Sequence, residues 1–182
     1  MKHRKHDVFI SYRRDGGFET ARYIYDNLVR DGYTATFDID TLRNGRFDDA
    51  LLARIDECPD FVIILNRGCF DRTIDPDFPR ENDWMRRELS HALAKKKNII
   101  PIMIRGFEGF PGNLPDDVKD IQWMNGPKYE QEYVDAFYER LKSKFLRCHP
   151  DEGKISCEAS RHSDEKNDVG WVRDVFSAVR GA

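Results

Sequence analysis

Trp84 and Glu88, four residues apart, are the pair of residues in this chain best suited to binding or catalysis. The apolar residues around them recur at three- and four-residue steps, which predicts a helix that begins after Asp83, a suitable N-cap. Residues four apart share one helical face, so a carboxylate and an indole would lie side by side and could dock a flat, positively charged ring. Taken alone, such a pair is more often a core tryptophan and a solvated glutamate, so the surrounding elements must decide.

Short apolar runs alternate with helical patterns and predict the elements that would position this pair. Strands are predicted at 7–12, 33–37, 61–65 and 98–104, with a short fifth strand at Ile121-Gln122-Trp123, and helices at 18–30, 48–58, 83–96 and 129–145. This alternation is typical of an α/β fold in which a parallel sheet of about five strands carries helices on both faces. Pro101 inside the fourth strand predicts either an edge position or a strand start.

The carboxyl ends of the predicted strands point to a phosphate-bearing ligand, because ligands bind beyond those ends in open parallel sheets. Arg13 and Arg14 follow the first strand, and Arg67 and Arg105 follow the third and fourth. Arginine matches the geometry of phosphate groups. The structural alternative for Arg13 and Arg14 is pairing with nearby aspartates, at positions 15, 38 or 40. The second strand leads into a loop of about ten residues, longer than the usual strand-to-helix connection.

Composition excludes several classes of protein. The 182 residues carry 30 basic and 33 acidic side chains, well mixed, so no nucleic-acid partner is expected. No apolar run approaches the roughly 20 residues of a membrane span, and no signal peptide is recognisable. Four cysteines without a C-x-x-C pair predict free thiols in a cytoplasmic protein, and scattered histidines argue against a metal site. We expect a domain over 1–147, a polar linker over 148–167 and an amphipathic helix or tail over 168–182.

Several ordered motifs between about residues 6 and 146 resemble those of a TIR (Toll/interleukin-1 receptor) domain. They are the first box at 7–14, the BB loop at 37–48, the helix start at 83–88 and the fourth strand at 98–102. A phosphorelay receiver would need acidic residues after the first strand, and a dinucleotide-binding domain would need G-x-G-x-x-G there. The resemblance is strongest to the NAD-cleaving branch, which includes prokaryotic antiviral TIR proteins and animal axon-degeneration NAD hydrolases. It implies a flavodoxin-like, three-layer fold.

The resemblance also implies an activity. A domain of this branch would act as an NAD glycohydrolase or cyclase that cleaves the nicotinamide–ribose bond, with NAD as substrate and with no cofactor or metal. Glu88 would be catalytic, and the expected substrate-binding residues are Arg13, Arg14, Phe37, Asp38 and Trp84. Ser11 is a secondary candidate. The product, ADP-ribose or a cyclic isomer, stays open.

TIR domains of this kind commonly act as assemblies, so the resemblance further implies self-association. The expected loop and assembly residues are Ile39, Leu42, Gly45 and Phe47. An immune, antiviral role would also call for a separate sensor or a nucleotide-sensing effector protein as a partner.

Two alternatives remain open at this point. A non-catalytic TIR scaffold would signal through TIR–TIR contacts, but it has no need of both Trp84 and Glu88. A nucleoside deoxyribosyltransferase of flavodoxin-like fold also uses a glutamate. The arginines after the first strand disfavour that class, because they suit a phosphorylated substrate.

Overall fold

The computed structural model describes residues 6–37 and 47–150 of the chain, and for residues 47–50 it describes the backbone alone. Within these residues, four parallel strands form one sheet in the order β2-β1-β3-β4. The strands are β1 (Val8–Ser11), β2 (Ala35–Phe37), β3 (Asp60–Leu65) and β4 (Asn98–Met103). The prediction of a parallel α/β sheet is confirmed.

The described residues also form α-helices, four of them between the strands and one after β4. They are α1 (Arg14–Arg30), α2 (Phe47–Glu57), α3 (Asp71–Ile74), α4 (Trp84–Ala94) and α5 (Val134–Arg140). The last of them continues as a π-helical turn over Leu141–Phe145. None of the helices in this part of the chain has the length and apolar character needed to cross a membrane.

The sheet is buried on both faces, which explains the nearly continuous apolar character of β1 and β3. Successive side chains of a strand point to opposite faces. One face packs in a cluster with residues of α1 and α5, and the other packs with residues of α2 and α4. The predicted arrangement of helices on both faces of the sheet is therefore confirmed.

The segment after β4 differs from the prediction, because Ile121-Gln122-Trp123 belongs to a 3₁₀ helix, Lys119–Trp123, and not to a fifth strand. In a strand, residues 121 and 123 would share one face. Here Ile121 is fully buried and Trp123 is 75% exposed. Beyond β4 the described residues add one isolated bridge, between Met103 and Lys128. The predicted edge position of the strand that contains Pro101 is confirmed for the described sheet.

A buried carboxylate joins the start of β3 to the end of the described chain. Asp60 is fully buried. It accepts hydrogen bonds from Asn98 Nδ2 at 2.7 Å and from the backbone N–H groups of Arg147 at 3.0 Å and Cys148 at 2.9 Å. These donors offset the cost of burying its charge. Cys148, the first residue of the predicted linker, is thus part of the packed domain, and the predictions for 151–182 lie outside the described residues.

The strand order creates a crevice at the carboxyl ends of β1 and β3. From β1 the chain continues to β2 at one edge of the sheet, and from β3 it continues to β4 at the opposite edge. The two connections therefore diverge, and this switch point is where open α/β sheets bind ligands. Ser11 ends β1 at this crevice, and Ile63 is its partner in the register with β3.

Candidate active site

Glu88 lies on α4 and is held by the end of β1. The residue is only 3% exposed. Its Oε2 accepts a 2.6 Å hydrogen bond from Oγ of Ser11, a residue 77 positions earlier in the chain. A buried carboxylate needs such donors, because its desolvation is costly. The helix therefore presents Glu88 to the carboxyl end of the sheet, and the solvated position that its spacing alone suggests is wrong.

Asp83 is the N-cap of this helix, as predicted. Its Oδ1 accepts from the backbone N–H of Arg86 at 3.2 Å. A capping carboxylate satisfies an otherwise free amide and places negative charge at the positive end of the helix dipole. Unlike most caps it is fully buried, and two further groups contact it. Thr73 Oγ1 donates to Oδ2 at 2.7 Å, and Arg13 Nη2 lies 2.7 Å from Oδ1.

The guanidinium of Arg13 turns into the protein. Besides the contact with Asp83, its Nε donates to the carbonyl oxygen of Cys69 at 2.8 Å and its Nη2 donates to Thr73 Oγ1 at 3.3 Å. The side chain is 14% exposed. Among the described residues its acidic partner is therefore the cap of α4 and not Asp15, while Asp38 and Asp40 lie outside the described residues. Arg14, at the first position of α1, is exposed.

Trp84 opens α4 and is half-buried. The guanidinium of Arg87 lies over its ring, 4.0 Å from the centroid, and Arg87 Nη1 also donates to the carbonyl oxygen of Glu81 at 3.2 Å. A flat cation on an indole is an energetically favourable cation–π arrangement. The indole is thus already in contact with a planar positive group in this structure, and a role in lining the pocket stays a prediction.

Phe37 ends β2 and is 4% exposed. Its ring packs against Tyr25, with centroids 4.6 Å apart, and against Tyr12 at 5.9 Å. These contacts place it in the apolar layer below α1, so it fixes the end of the strand from which the long loop departs.

The remaining predicted residues belong to that long loop. Asp38, Ile39, Leu42 and Gly45 lie outside the described residues. Phe47 opens α2, and its side chain lies outside as well.

Asn66, the residue after β3, was not singled out from the sequence. It is 8% exposed, and its Nδ2 donates to the carbonyl oxygens of Asp15 at 2.7 Å and Arg67 at 3.3 Å. Gly16 approaches this amide so closely that an added Cβ would lie 2.9 Å from Nδ2, and its φ of +77° suits glycine. The side chain thus ties the non-helical kink at Asp15 and Gly16, near the start of α1, to the end of β3. A buried asparagine after a strand carries no sequence signal that separates it from an ordinary turn residue.

Charge around the start of α4 is balanced by Asp117. Arg86 forms a two-pronged contact with it, through Nη2 at 2.9 Å and Nε at 3.2 Å, and Arg80 Nη2 lies 2.9 Å away. Burial alone would raise the pKa of Asp117. The hydrogen bond and charge of Arg86, with the charge of Arg80, outweigh burial and hold that pKa below its ordinary value. The carboxyl is therefore ionised at neutral pH.

The cysteine near the site, Cys69, is not set up to act as a nucleophile. Cys69 is 2% exposed. Burial raises the pKa of its thiol to about 12, although Arg13 acts in the opposite direction. A nucleophilic cysteine needs a lowered pKa. Glu88, which is buried and held by Ser11, is therefore a better candidate for acting on a substrate than Cys69.

Comparison with known proteins identifies relatives of this arrangement. A family model described as TIR domain matches residues 8–142. The chain is 39% identical over 133 residues to NAD(+) hydrolase tir-1 of Caenorhabditis elegans, a match covering 71% of this chain and 13% of that protein. It is 32% identical over 148 residues to NAD(+) hydrolase SARM1 of Danio rerio, covering 81% and 20% of the two chains. The chain thus spans at most a fifth of the length of these curated relatives.

Solved structures with the same architecture belong to TIR proteins. The TIR domain of the Toll-related receptor TRR-2 from Hydra magnipapillata aligns with a TM-score of 0.50 at 16% identity, covering 78% of this chain and 98% of that one. A metazoan TIR-STING receptor from C. gigas aligns with a TM-score of 0.51 at 16% identity, covering 76% and 40%. At this identity they show the fold alone. The family model spans every strand and α-helix of the described residues, and the chain belongs to the TIR-domain family.

Proposed function

We propose that this domain cleaves the bond between nicotinamide and ribose in NAD, with Glu88 as its catalytic residue. The observation that carries the proposal is the buried Glu88 carboxylate, which Ser11 holds at the carboxyl end of the sheet. Support comes from the names of the curated relatives, which are NAD(+) hydrolases at 39% and 32% identity.

The chemistry of the bond suits a single carboxylate. The nicotinamide ring of NAD is a cationic pyridinium and leaves the ribose as a neutral molecule, so its departure needs no general acid. Positive charge builds up on the ribose in an oxocarbenium-like transition state, and a carboxylate close to the ribose stabilises it. Ser11 contributes by fixing one oxygen of Glu88, so that little free energy is needed to reorient the carboxylate when the positive charge develops.

The other predicted residues receive more limited roles in this proposal. Trp84 lines the pocket and stacks on a flat part of the substrate. Arg14, exposed at the start of α1, meets the diphosphate. Phe37 acts indirectly, because its packing fixes the point from which the long loop and Asp38 depart.

The finer points of the activity belong to the proposal as well. Cleavage releases nicotinamide, and the ADP-ribosyl group is transferred either to water or to a position within the same molecule, which gives a cyclic product. NAD is a substrate, and no resident cofactor or metal takes part in the mechanism we propose. We place the reaction in immune signalling or NAD depletion in the cytoplasm, where a separate sensor protein triggers it.

Chromatography of NAD and its products tests this function directly. We expect the wild type to release nicotinamide together with ADP-ribose or a cyclic isomer, and we expect Glu88→Gln to lower turnover by about a hundredfold or more. Glu132→Gln is the matched control, because Glu132 is an exposed glutamate in the turn before α5. Intact NAD at high protein concentration would favour the non-catalytic scaffold, and unchanged turnover in Glu88→Gln would overturn the assignment of the residue.

A further inference from the structure

We propose that Arg13, Thr73 and Asp83 form a buried network that sets the position of Glu88, and that Arg13 serves the site through this network and not by binding the diphosphate. These three residues are called the Asp83 network below. The inference rests on the proposed function of Glu88. It assigns positioning roles to residues that do not contact the substrate.

The Asp83 network uses both oxygens of one carboxylate. Oδ1 faces Arg13 Nη2 at 2.7 Å and the capped N–H of Arg86 at 3.2 Å, while Oδ2 accepts from Thr73 Oγ1 at 2.7 Å. Thr73 in turn accepts from Arg13 Nη2 at 3.3 Å. Asp83 is fully buried and Thr73 is 3% exposed. The network therefore joins the end of β1, the short α3 and the start of α4 away from water, where hydrogen bonds of charged groups are strongest.

The position of the network explains why it matters for Glu88. The end of β1 contacts α4 at two places, through Arg13 at the cap of the helix and through Ser11 at Glu88 itself. Two contacts on one rigid helix restrict both its sliding and its rotation relative to the sheet. A misplacement of about 1 Å in a catalytic group can cost about a hundredfold in rate. A change in the network should therefore reach the reaction through the carboxylate of Glu88.

The same contacts argue against a direct role of Arg13 in binding the diphosphate. Its Nε is used by the carbonyl oxygen of Cys69, and its Nη2 is used by Asp83 and Thr73. The buried Asp83 carboxylate also neutralises its charge at 2.7 Å. If the guanidinium turned away to bind a phosphate, Asp83 would stay buried without its cationic partner, which is unfavourable.

Thr73 allows a matched test, because Thr73→Val keeps the shape and removes the hydroxyl, whereas Thr73→Ser keeps the hydroxyl. We expect Thr73→Val to lower kcat for NAD about tenfold, the effect of one lost hydrogen bond, with KM changed by less than about twofold. Thr73→Ser should restore kcat to within about twofold of the wild type. Ile24→Val is the control for stability, since it trims a fully buried residue in the opposite apolar layer at a similar cost.

Two results would overturn the proposal. One is a fall in kcat for Ile24→Val as large as that for Thr73→Val, because the loss would then follow stability alone. The other is a raised KM with unchanged kcat in Thr73→Val or Arg13→Lys, which would return Arg13 to the substrate.

Amide hydrogen exchange tests the network without any substrate. In the first turn of α4, which includes the capped N–H of Arg86, exchange should be faster in Thr73→Val and Asp83→Asn than in the wild type, and unchanged in Thr73→Ser. Exchange at the wild-type rate in both Thr73→Val and Asp83→Asn would refute the network. If the wild type fails to cleave NAD, the proposed function fails, and exchange still decides whether the network holds α4.

Discussion

Oγ of Ser11 donates a hydrogen bond to Oε2 of Glu88 across 2.6 Å, and this contact joins the carboxyl end of the first strand to the fourth α-helix. The carboxylate is thereby oriented before any substrate arrives, which is the condition under which a charged group contributes most to catalysis. In the reaction that we propose, the hydroxyl of Ser11 supplies the orientation and the carboxylate of Glu88 supplies the negative charge.

Removing the hydroxyl should affect the reaction more than binding. We expect Ser11→Ala to lower kcat for NAD about tenfold or more, because a hydrogen bond to a charged group contributes about 1.5–3 kcal/mol. Steady-state kinetics on the purified protein measures this effect. Ser90→Ala, a half-buried serine on the same helix, is the control and should keep its activity. Equal kcat in Ser11→Ala and the wild type would show that Glu88 needs no such orientation.

The contact between Asp117 and Arg86 should make stability depend on acid pH. The pKa of Asp117 is lower in the folded protein than its ordinary value. The ionised carboxyl therefore stabilises the folded protein fully above the unfolded pKa of about 3.9, and this stabilisation is lost as pH falls through the folded pKa. We expect Asp117→Asn to lower the free energy of unfolding by about 0.5–1 kcal/mol at neutral pH. At a pH low enough to protonate the folded carboxyl as well, the two proteins should converge. Urea denaturation at neutral pH and at such an acid pH measures the difference, and an equal difference at both would contradict the expectation.

The kink near the start of α1 should tolerate no side chain at Gly16. An added Cβ would lie 2.9 Å from Asn66 Nδ2, in a backbone conformation with φ of +77°. We expect Gly16→Ala to lower the free energy of unfolding by about 1–3 kcal/mol. In Gly112→Ala the added Cβ meets nothing within 4 Å, so this variant serves as the control. Thermal unfolding followed by circular dichroism compares the two, and equal melting temperatures would refute the steric argument.

Self-association should appear as a dependence of activity on protein concentration. If neighbouring copies complete each other's sites through the loop that contains Ile39 and Leu42, specific activity towards NAD will fall on dilution by mass action. Turnover per molecule over about a hundredfold range of concentration measures this. A flat specific activity across the dilution series would contradict the assembly hypothesis.

The sequence was sufficient to predict the elements whose patterns are local. The apolar runs of β1 and β3 and the periodicity of α4 predicted a parallel sheet with helices on both faces, and Asp83 was recognisable as a cap because capping involves residues three positions apart. The short 3₁₀ helix over Lys119–Trp123 was mistaken for a strand, because three apolar or long residues in a row carry no periodicity.

The contacts that organise the candidate site could not be predicted either, because they join residues far apart in the chain. Arg13 was expected to meet either a phosphate or a neighbouring aspartate, and its actual partner is a cap on another element. The partnership of Ser11 with Glu88 spans 77 positions, and no spacing rule connects them. Such pairs depend on how the elements pack, so the sequence predicts the candidate residues and the fold decides which of them meet.

The hydrogen bonds of Asp60 to Arg147 and Cys148 have a practical consequence for engineering. Asp60 starts β3, so the chain around residue 148 is anchored at the amino edge of the sheet, whereas Ser11 ends β1 at the carboxyl edge. A reporter or a drug-induced dimerisation module attached directly after Pro150 would begin at the edge opposite Glu88. Such fusions offer a way to bring copies of the domain together on command without an attachment point beside the crevice.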